Sequence, residues 1–409
     1  VTEKVSKGRV VQILTREALL KRKIRRHLQR IGFKRDGNGI LYLPADSKEA
    51  IRAAHQLQRT ERSTKQKDFL KTKFPTLSQH FATGAEIDPM AVKPRLERVA
   101  AGTWQADLFK LASLTWSVPV SPGFGRRLRY LVWDGGHDRL MGILAIGDPV
   151  FNLRTRDEYI GWTGEQRGTQ LVHTMDAYVL GAVPPYNQLL GGKIAAALLR
   201  TREIYDDFLT TYGAREGIIS RKVNQARLAA ITTTSSMGRS SVYNRVKLNG
   251  TPYLKSIGYS SGYGHFHIPD RLFQDLRDYL RKNDHRYADG HQFGNGPNWR
   301  MRVTRAALEM IGMRSNLLMH GIKREVFICE MASNTLEFLK GEEAALNISN
   351  LKSVEEVAAL ACERWLVPRA ARRTEYRQWT KEDLVNLVSI SSGIRVSLDE
   401  PKKKRQARQ

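Results

Sequence analysis

The stretch from residue 127 to residue 199 constrains the fold more than any other part of the chain. Arg127-Leu-Arg-Tyr-Leu-Val-Trp-Asp134 is turned back by Gly135-Gly-His-Asp138 into Leu140-Met-Gly-Ile-Leu-Ala-Ile-Gly147, which reads as a β-hairpin. A further apolar strand is expected at Ala177-Tyr-Val-Leu-Gly-Ala-Val183. It runs into Pro184-Pro-Tyr-Asn-Gln-Leu-Leu-Gly-Gly-Lys193, and the helix formers Ile194-Ala-Ala-Ala-Leu-Leu199 follow. Strands are also read at Ala226–Thr234 and Glu325–Glu330, and helices at Arg271–Arg281, at Thr304–Met319 and twice near the C-terminus. This order predicts an α+β fold with a mixed central sheet flanked by helices.

Upstream the texture is helical and basic. Thr15 can cap a helix that places Leu20, Ile24, Leu28 and Ile31 on one face and stops at Gly32. A tight turn and short strand follow at Lys34–Pro44. A second helix is expected from Ser47 to about Lys73, interrupted by Pro75, and then a polar, proline-spaced linker to Glu97. The implied division is a basic helical N-terminal arm with its linker over 1–100, a mixed core over 101–335, a helical region over 336–400 and a basic disordered tail over 401–409.

Charge narrows the partner class. Lys and Arg number 67 against 41 Asp and Glu in 409 residues, a net charge of +26. Folding does not need that excess, whereas polyanion binding does, because each phosphate neutralised releases counterions. The excess falls in blocks: Lys21–Arg35, Arg59–Lys73 and the tail Lys402-Lys-Lys-Arg405. One such block would be a solvated helix face; three point to DNA, duplex or single-stranded. The nominated contacts are Arg25, Arg26, Arg126, Arg127, Arg239, Arg245, Trp299, Arg300, Lys402, Lys403, Lys404 and Arg405. An anionic membrane surface would ask for a basic helix faced with Trp or Phe, which is absent. The two cysteines, Cys329 and Cys362, sit in apolar stretches and provide no disulfide framework. With no membrane-length apolar run and no signal peptide, a cytoplasmic protein is expected.

Two strings point to a ligand site. Ile231-Thr-Thr-Thr-Ser-Ser-Met-Gly-Arg-Ser-Ser-Val-Tyr-Asn-Arg245 and Ile257-Gly-Tyr-Ser-Ser-Gly-Tyr-Gly-His-Phe-His-Ile268 place hydroxyls, amides and glycines between apolar strand residues. Such groups grip polar or phosphorylated ligands, and they also build ordinary glycine-punctuated hairpins. Between strand and helix, Gln188, Gly191, Gly192 and Lys193 suit a phosphate or cofactor cradle, although a plain tight connection has the same look. The segment lacks the spacing of a Walker loop. Tyr243 is a candidate general acid or a core tyrosine. His265 and His267 would share one face of a strand, yet no compact ligand motif accompanies them and no metal is assigned. Asp157 is the remaining catalytic candidate, beside Asp148, Asp176, Asp206 and Asp207, whose spacing does not establish a two-metal nuclease. His291-Gln-Phe-Gly-Asn-Gly-Pro-Asn-Trp-Arg300 has the mixture that stacks on bases, or that anchors a loop by one Trp.

Longer strings carry a family resemblance. Arg126–Asp134, Ile146-Gly-Asp-Pro-Val-Phe-Asn-Leu153 with Arg156-Asp157 and Ile160-Gly-Trp162, Ala182–Lys193, Met237–Arg245, Asn298-Trp-Arg300 and His320-Gly-Ile-Lys-Arg-Glu325 resemble the DruA family of Druantia anti-phage systems. The resemblance implies a prokaryotic, cytoplasmic role in phage defence, alone or with a large helicase partner, and carries no catalytic residues with it. A weaker likeness links the strand–turn–helix to GNAT acyltransferases. Gln188 and Gly191 fit their pyrophosphate turn, and Lys193 stands where a small residue belongs. Two functions remain open: a DNA-acting enzyme with a GNAT-like pocket and an unassigned cofactor, or a non-catalytic DNA-binding adaptor for a helicase or nuclease.

Overall fold

The computed structural model describes residues 3–6, 9–12, 14–37, 41–44, 47–121, 123–216, 223–265, 267–289, 297–392 and 394–399. They form two compact units. The first combines residues 1–58 with 261–323; the second combines 59–260 with 324–409.

The first unit holds α1 (Arg16–Arg30), α9 (Asp270–Arg281) and α10 (Pro297–Met310). Thr15 accepts a hydrogen bond from the Ala18 amide, and Leu20, Ile24, His27 and Leu28 form the buried face of α1. The helix expected at Thr304–Met319 instead ends at Met310. Gly312, at φ +62°, allows the Met313 amide to reach the Leu308 carbonyl, which closes the helix. His265 and His267 lie in bends before α9, not on a strand as expected. Gly262, at φ +70°, Gly264 and Pro269 favour a winding path, in which the Ile268 amide donates to the His265 carbonyl.

The second unit is built on a seven-stranded sheet: β1 (Pro94–Arg98), β2 (Arg127–Asp134), β3 (Arg139–Gly147), β4 (Thr174–Ala182), β5 (Ala230–Thr234), β6 (Lys255–Tyr259) and β7 (Glu325–Glu330). Their spatial order is β6-β7-β5-β4-β3-β2-β1. All neighbours are antiparallel except β4 and β5, which are parallel. Alternation along the strands sends Tyr130, Ile146, Met175, Ile231 and Phe327 to one face. There they pack under α7 (Gly191–Ala197), α8 (Arg202–Tyr212) and α12 (Val354–Ala361). The opposite face is covered at β2–β4 by α3 (Lys67–Leu77), α4 (Trp104–Leu114) and α14 (Lys381–Ser392). At β5 and β7 it is covered by α5 (Arg154–Ile160) and α11 (Thr335–Lys340). Helices on both faces explain why β3 is almost wholly buried.

Three local expectations changed. The helix from Ser47 breaks into α2 (Lys48–Thr64) and α3 at Lys65–Gln66, where the Gln66 amide turns back to the Ser63 carbonyl. Pro75 sits buried in the last turn of α3. The supposed linker is integral: Phe81, Ala82, Ile87 and Val92 are buried, the Gly84 amide donates to Trp379, and residues 94–98 form the edge strand. The stretch around Trp162 is α5 followed by α6 (Gly164–Gln170), whose Thr163 and Gln166 form a capping box.

Candidate functional site

The sheet opens at its single parallel junction. β4 and β5 pair only at Thr174–Ala230, Met175–Ile231 and Asp176–Thr232, and then part. A bulge at Tyr178, where β3 skips from Val179 to Ala177, bends β4 away. Side chains from the hydroxyl-rich stretch cross the opening. The Thr233 hydroxyl donates to the Ala177 carbonyl (2.8 Å) and the Tyr243 hydroxyl donates to the Leu180 carbonyl (2.9 Å). The Tyr243 ring stands edge-on to Phe327 at 5.6 Å. Its phenol is pushed well above its ordinary pKa by burial.

One carboxylate organises that stretch. Glu325, buried at the start of β7, accepts the Ser240 amide (2.9 Å), the Asn244 side-chain amide (2.7 Å) and the Ser256 hydroxyl (2.9 Å). Its own amide donates to the Gly238 carbonyl, with Gly238 at φ +75°. Asp176, on the last paired rung, accepts from Thr232 (2.9 Å), and burial pushes its carboxyl up to about 6. Thr232 and the Arg156 charge oppose that shift.

The 184–193 turn packs beside this stretch. Tyr186 donates to buried Asp134 (2.8 Å), and the Gly191 amide returns to the Tyr186 carbonyl. A Cβ on Gly191 would lie 2.8 Å from that carbonyl oxygen and 3.0 Å from the Ala182 Cβ, so backbone packing demands glycine here. Gly192 is different: a Cβ there meets only Val242 Cγ1, at 3.9 Å. The structure therefore places Gly192 and Lys193 next to the Val242–Arg245 segment. The Gln188 carbonyl accepts from Arg369 on α13 (Val367–Arg372) (3.1 Å). Lys193 points its ammonium at Trp365, 5.5 Å from the ring centroid. Burial lowers its pKa, and Arg245 and Arg364 lower it further.

The other nominated residues lie elsewhere. Asp157 is on α5, across the sheet from Tyr243, with both oxygens engaged by Arg156 (2.6 Å) and Arg167 (3.1 Å). His265 belongs to the first unit, where burial and then Arg300 and His267 lower its pKa to about 4. Trp299 and Arg300 are anchored in that unit: the indole donates to the Tyr287 carbonyl, and the guanidinium binds Asp270 and the Ile268 carbonyl. Arg126 is tied to Asp148, Val172 and Thr174. Arg127 is exposed at the start of β2, and Arg239 and Arg245 are exposed in the hydroxyl-rich stretch. Lys402, Lys403, Lys404 and Arg405 lie outside the described residues, as does His291. Asp148, Asp157, Asp176 and Asp207 each have separate partners, and the described residues include no group of three side chains able to hold a metal ion.

Arg25 and Arg26 gain company from the helix geometry. Arg22, Arg25, Arg26 and Arg30 are all exposed and share the face of α1 opposite its buried residues. Among the described residues no acid pairs with these four, whereas their neighbour Lys23 pairs with Asp275. Sequence reasoning passed over Glu325 and Arg364. A charged residue ahead of the wholly apolar run Val326-Phe-Ile-Cys329 was the available signal for Glu325; Arg364 carried none.

The chain matches the family described as Druantia protein DruA over residues 45–341. It belongs to that family. A DruA protein of Escherichia coli (strain UMEA 4076-1) is 57% identical over 383 residues, covering 94% of this chain and 95% of that one. Membership supports a place in Druantia anti-phage defence. No solved structure matches the chain. No helix among the described residues is long and apolar enough to cross a membrane.

Proposed function

We propose that this DruA-family chain serves anti-phage defence by binding DNA, duplex or single-stranded, through its phosphate backbone and with little sequence preference. The observation that carries the reading is the face of α1, where Arg22, Arg25, Arg26 and Arg30 stand together with no acidic partner among the described residues. Four guanidinium groups along one exposed helix face suit a row of phosphates. A membrane is the poorer match, since Leu19 is the one large apolar side chain exposed on α1. The basic N-terminal arm and tail would extend this footprint in a cytoplasmic protein.

The test is DNA affinity as a function of salt, for the chain and for the variant with all four arginines changed to glutamine. Each lost phosphate contact lowers the log–log salt slope by about 0.9 on duplex DNA, so the variant should lose up to about 3–4 units of slope. An unchanged slope would remove α1 from the interface.

A second reading, a DNA-acting enzyme with a GNAT-like pocket, is supported by the sheet. Four antiparallel strands run in sequence order, a parallel fifth follows a helical crossover, and the last two return antiparallel; the parallel pair parts after three rungs. The GNAT resemblance implies that an acyl cofactor would be held at the turn of Gln188 and Gly191, between Gly191–Lys193 and Ser235–Tyr243. Mass spectrometry of the purified protein decides between the readings. A co-purifying nucleotide or acyl cofactor supports the enzyme; its absence, with DNA binding intact, favours an adaptor that delivers a helicase or nuclease.

A further inference from the structure

Three cations distant in sequence converge at the 184–193 turn. Lys193 lies in α7, Arg245 closes the short 3-10 turn Tyr243–Arg245, and Arg364 belongs to the π-helical turn Cys362–Leu366. That wide turn also delivers Trp365, nearly buried, whose ring approaches the Lys193 ammonium. The Arg369–Gln188 bond holds the helix after the π-turn against the 184–193 turn, so the two segments are braced together. A π-turn inserted in an α-helical segment costs regular hydrogen bonding and recurs where a side chain must be aimed.

Some arginines of this unit are neutralised by acids, and these three cations are not. Arg126, Arg156 and Arg167 each have a carboxylate within 3.1 Å. Among the described residues no acid pairs with Lys193, Arg245 or Arg364, and half-buried Lys193 is held beside two like charges. Like charges gathered at a half-desolvated position raise the energy of the empty site, and an anion relieves it. Space adjoins the turn, since a Cβ on Gly192 would touch only Val242 Cγ1, at 3.9 Å. Arg245 and Arg364 are exposed, so an anion can reach them from solvent.

We propose that Lys193, Arg245 and Arg364 form a binding site for a phosphate-bearing anion, with the π-helical turn supplying the third cation. The site lies in the second unit and does not depend on DNA contacting α1. A diphosphate on a small molecule and the phosphodiester of DNA offer it the same chemistry. The experiment is calorimetric titration of the full chain with inorganic pyrophosphate and, separately, with duplex DNA. It is repeated on Lys193→Ala, Arg245→Ala, Arg364→Ala and Arg364→Lys.

Each alanine variant should weaken pyrophosphate binding by about tenfold or more, with Arg364→Lys between wild type and Arg364→Ala because it keeps charge but loses the planar fork. The two arginine variants should melt like wild type, since both side chains are exposed. If pyrophosphate affinity falls and DNA affinity does not, the ligand is a small phosphorylated molecule; if both fall in parallel, it is the DNA backbone. The proposal is overturned if all three alanine variants bind both ligands as wild type does, or if wild type binds neither. The α1 glutamine variant, with its unchanged second unit, should still bind pyrophosphate normally. That control separates failure of this site from failure of the α1 interface.

Discussion

Removing the Glu325 carboxylate tests whether the hydroxyl-rich stretch is held by that one side chain. Glu325 accepts three hydrogen bonds, from the Ser240 amide, the Asn244 side chain and the Ser256 hydroxyl. Hydrogen bonds to a charged group contribute about 1.5–3 kcal/mol each, which sets an upper bound near 5–9 kcal/mol for the set. Most of it is recoverable, because Asn244 and Ser256 are exposed and can rebond to water. Ser240 is buried, so its amide is left without a partner, at a cost of about 1–3 kcal/mol. Adding the lost packing of a buried side chain, Glu325→Ala should destabilise by about 3–4 kcal/mol. That corresponds to a fall in Tm of about 5–7 °C for a unit of this size. Glu325→Gln keeps an acceptor for Ser240 and Asn244 and a donor for the Ser256 oxygen, so it should cost only about 1 kcal/mol. Thermal melts followed by near-ultraviolet circular dichroism, with urea midpoints alongside, measure both. A Glu325→Ala protein within about 1 kcal/mol of wild type would refute the argument, since the stretch would then be held by other contacts. If the argument holds, the same variant frees Arg245 and weakens pyrophosphate binding.

Two further outcomes follow from the turn and from the parallel junction. Gly191→Val should destabilise the protein by about 3 kcal/mol or more, because its side chain drives into the Tyr186 carbonyl, whereas Gly192→Ala should stay within about 0.5 kcal/mol of wild type; equal effects in a melting comparison would contradict the packing. Asp176→Asn should stabilise the protein at pH 7. The folded pKa of about 6 lies above the ordinary 3.8, so the charged form is penalised on folding at neutral pH, and the penalty fades as pH falls from 6 towards 4. Partial solvent access trims the gain to about 1–3 kcal/mol, which should vanish below pH 4; a gain that persists in acid, read by urea midpoints across the pH range, would reject the titration account.

Short-range chemistry determined a good part of this fold. The hairpin β2–β3, the strand β7 and the capped helix α1 were legible because alternation, turn glycines and an N-cap threonine act within a few residues of one another. The basic blocks and the turn at Gly191–Lys193 were legible only as candidates for contact with an anion. Only the tertiary structure decided which of the nominated side chains are held by internal partners. Trp299, Arg300 and Arg126 carry the same residue types as a nucleic-acid surface, yet their hydrogen bonds go to Tyr287, Asp270, Ile268, Asp148 and Thr174. The polar stretch before Glu97 became a sheet edge because its amides found Trp379 and β2, partners far along the chain. Glu325 gained its three hydrogen bonds the same way, and Arg364 was brought beside Lys193 likewise. A residue's type states what it can bond to; whether its partner is water, a distant backbone or another charge depends on which remote segment the fold brings within about 3 Å, and no local pattern encodes that distance.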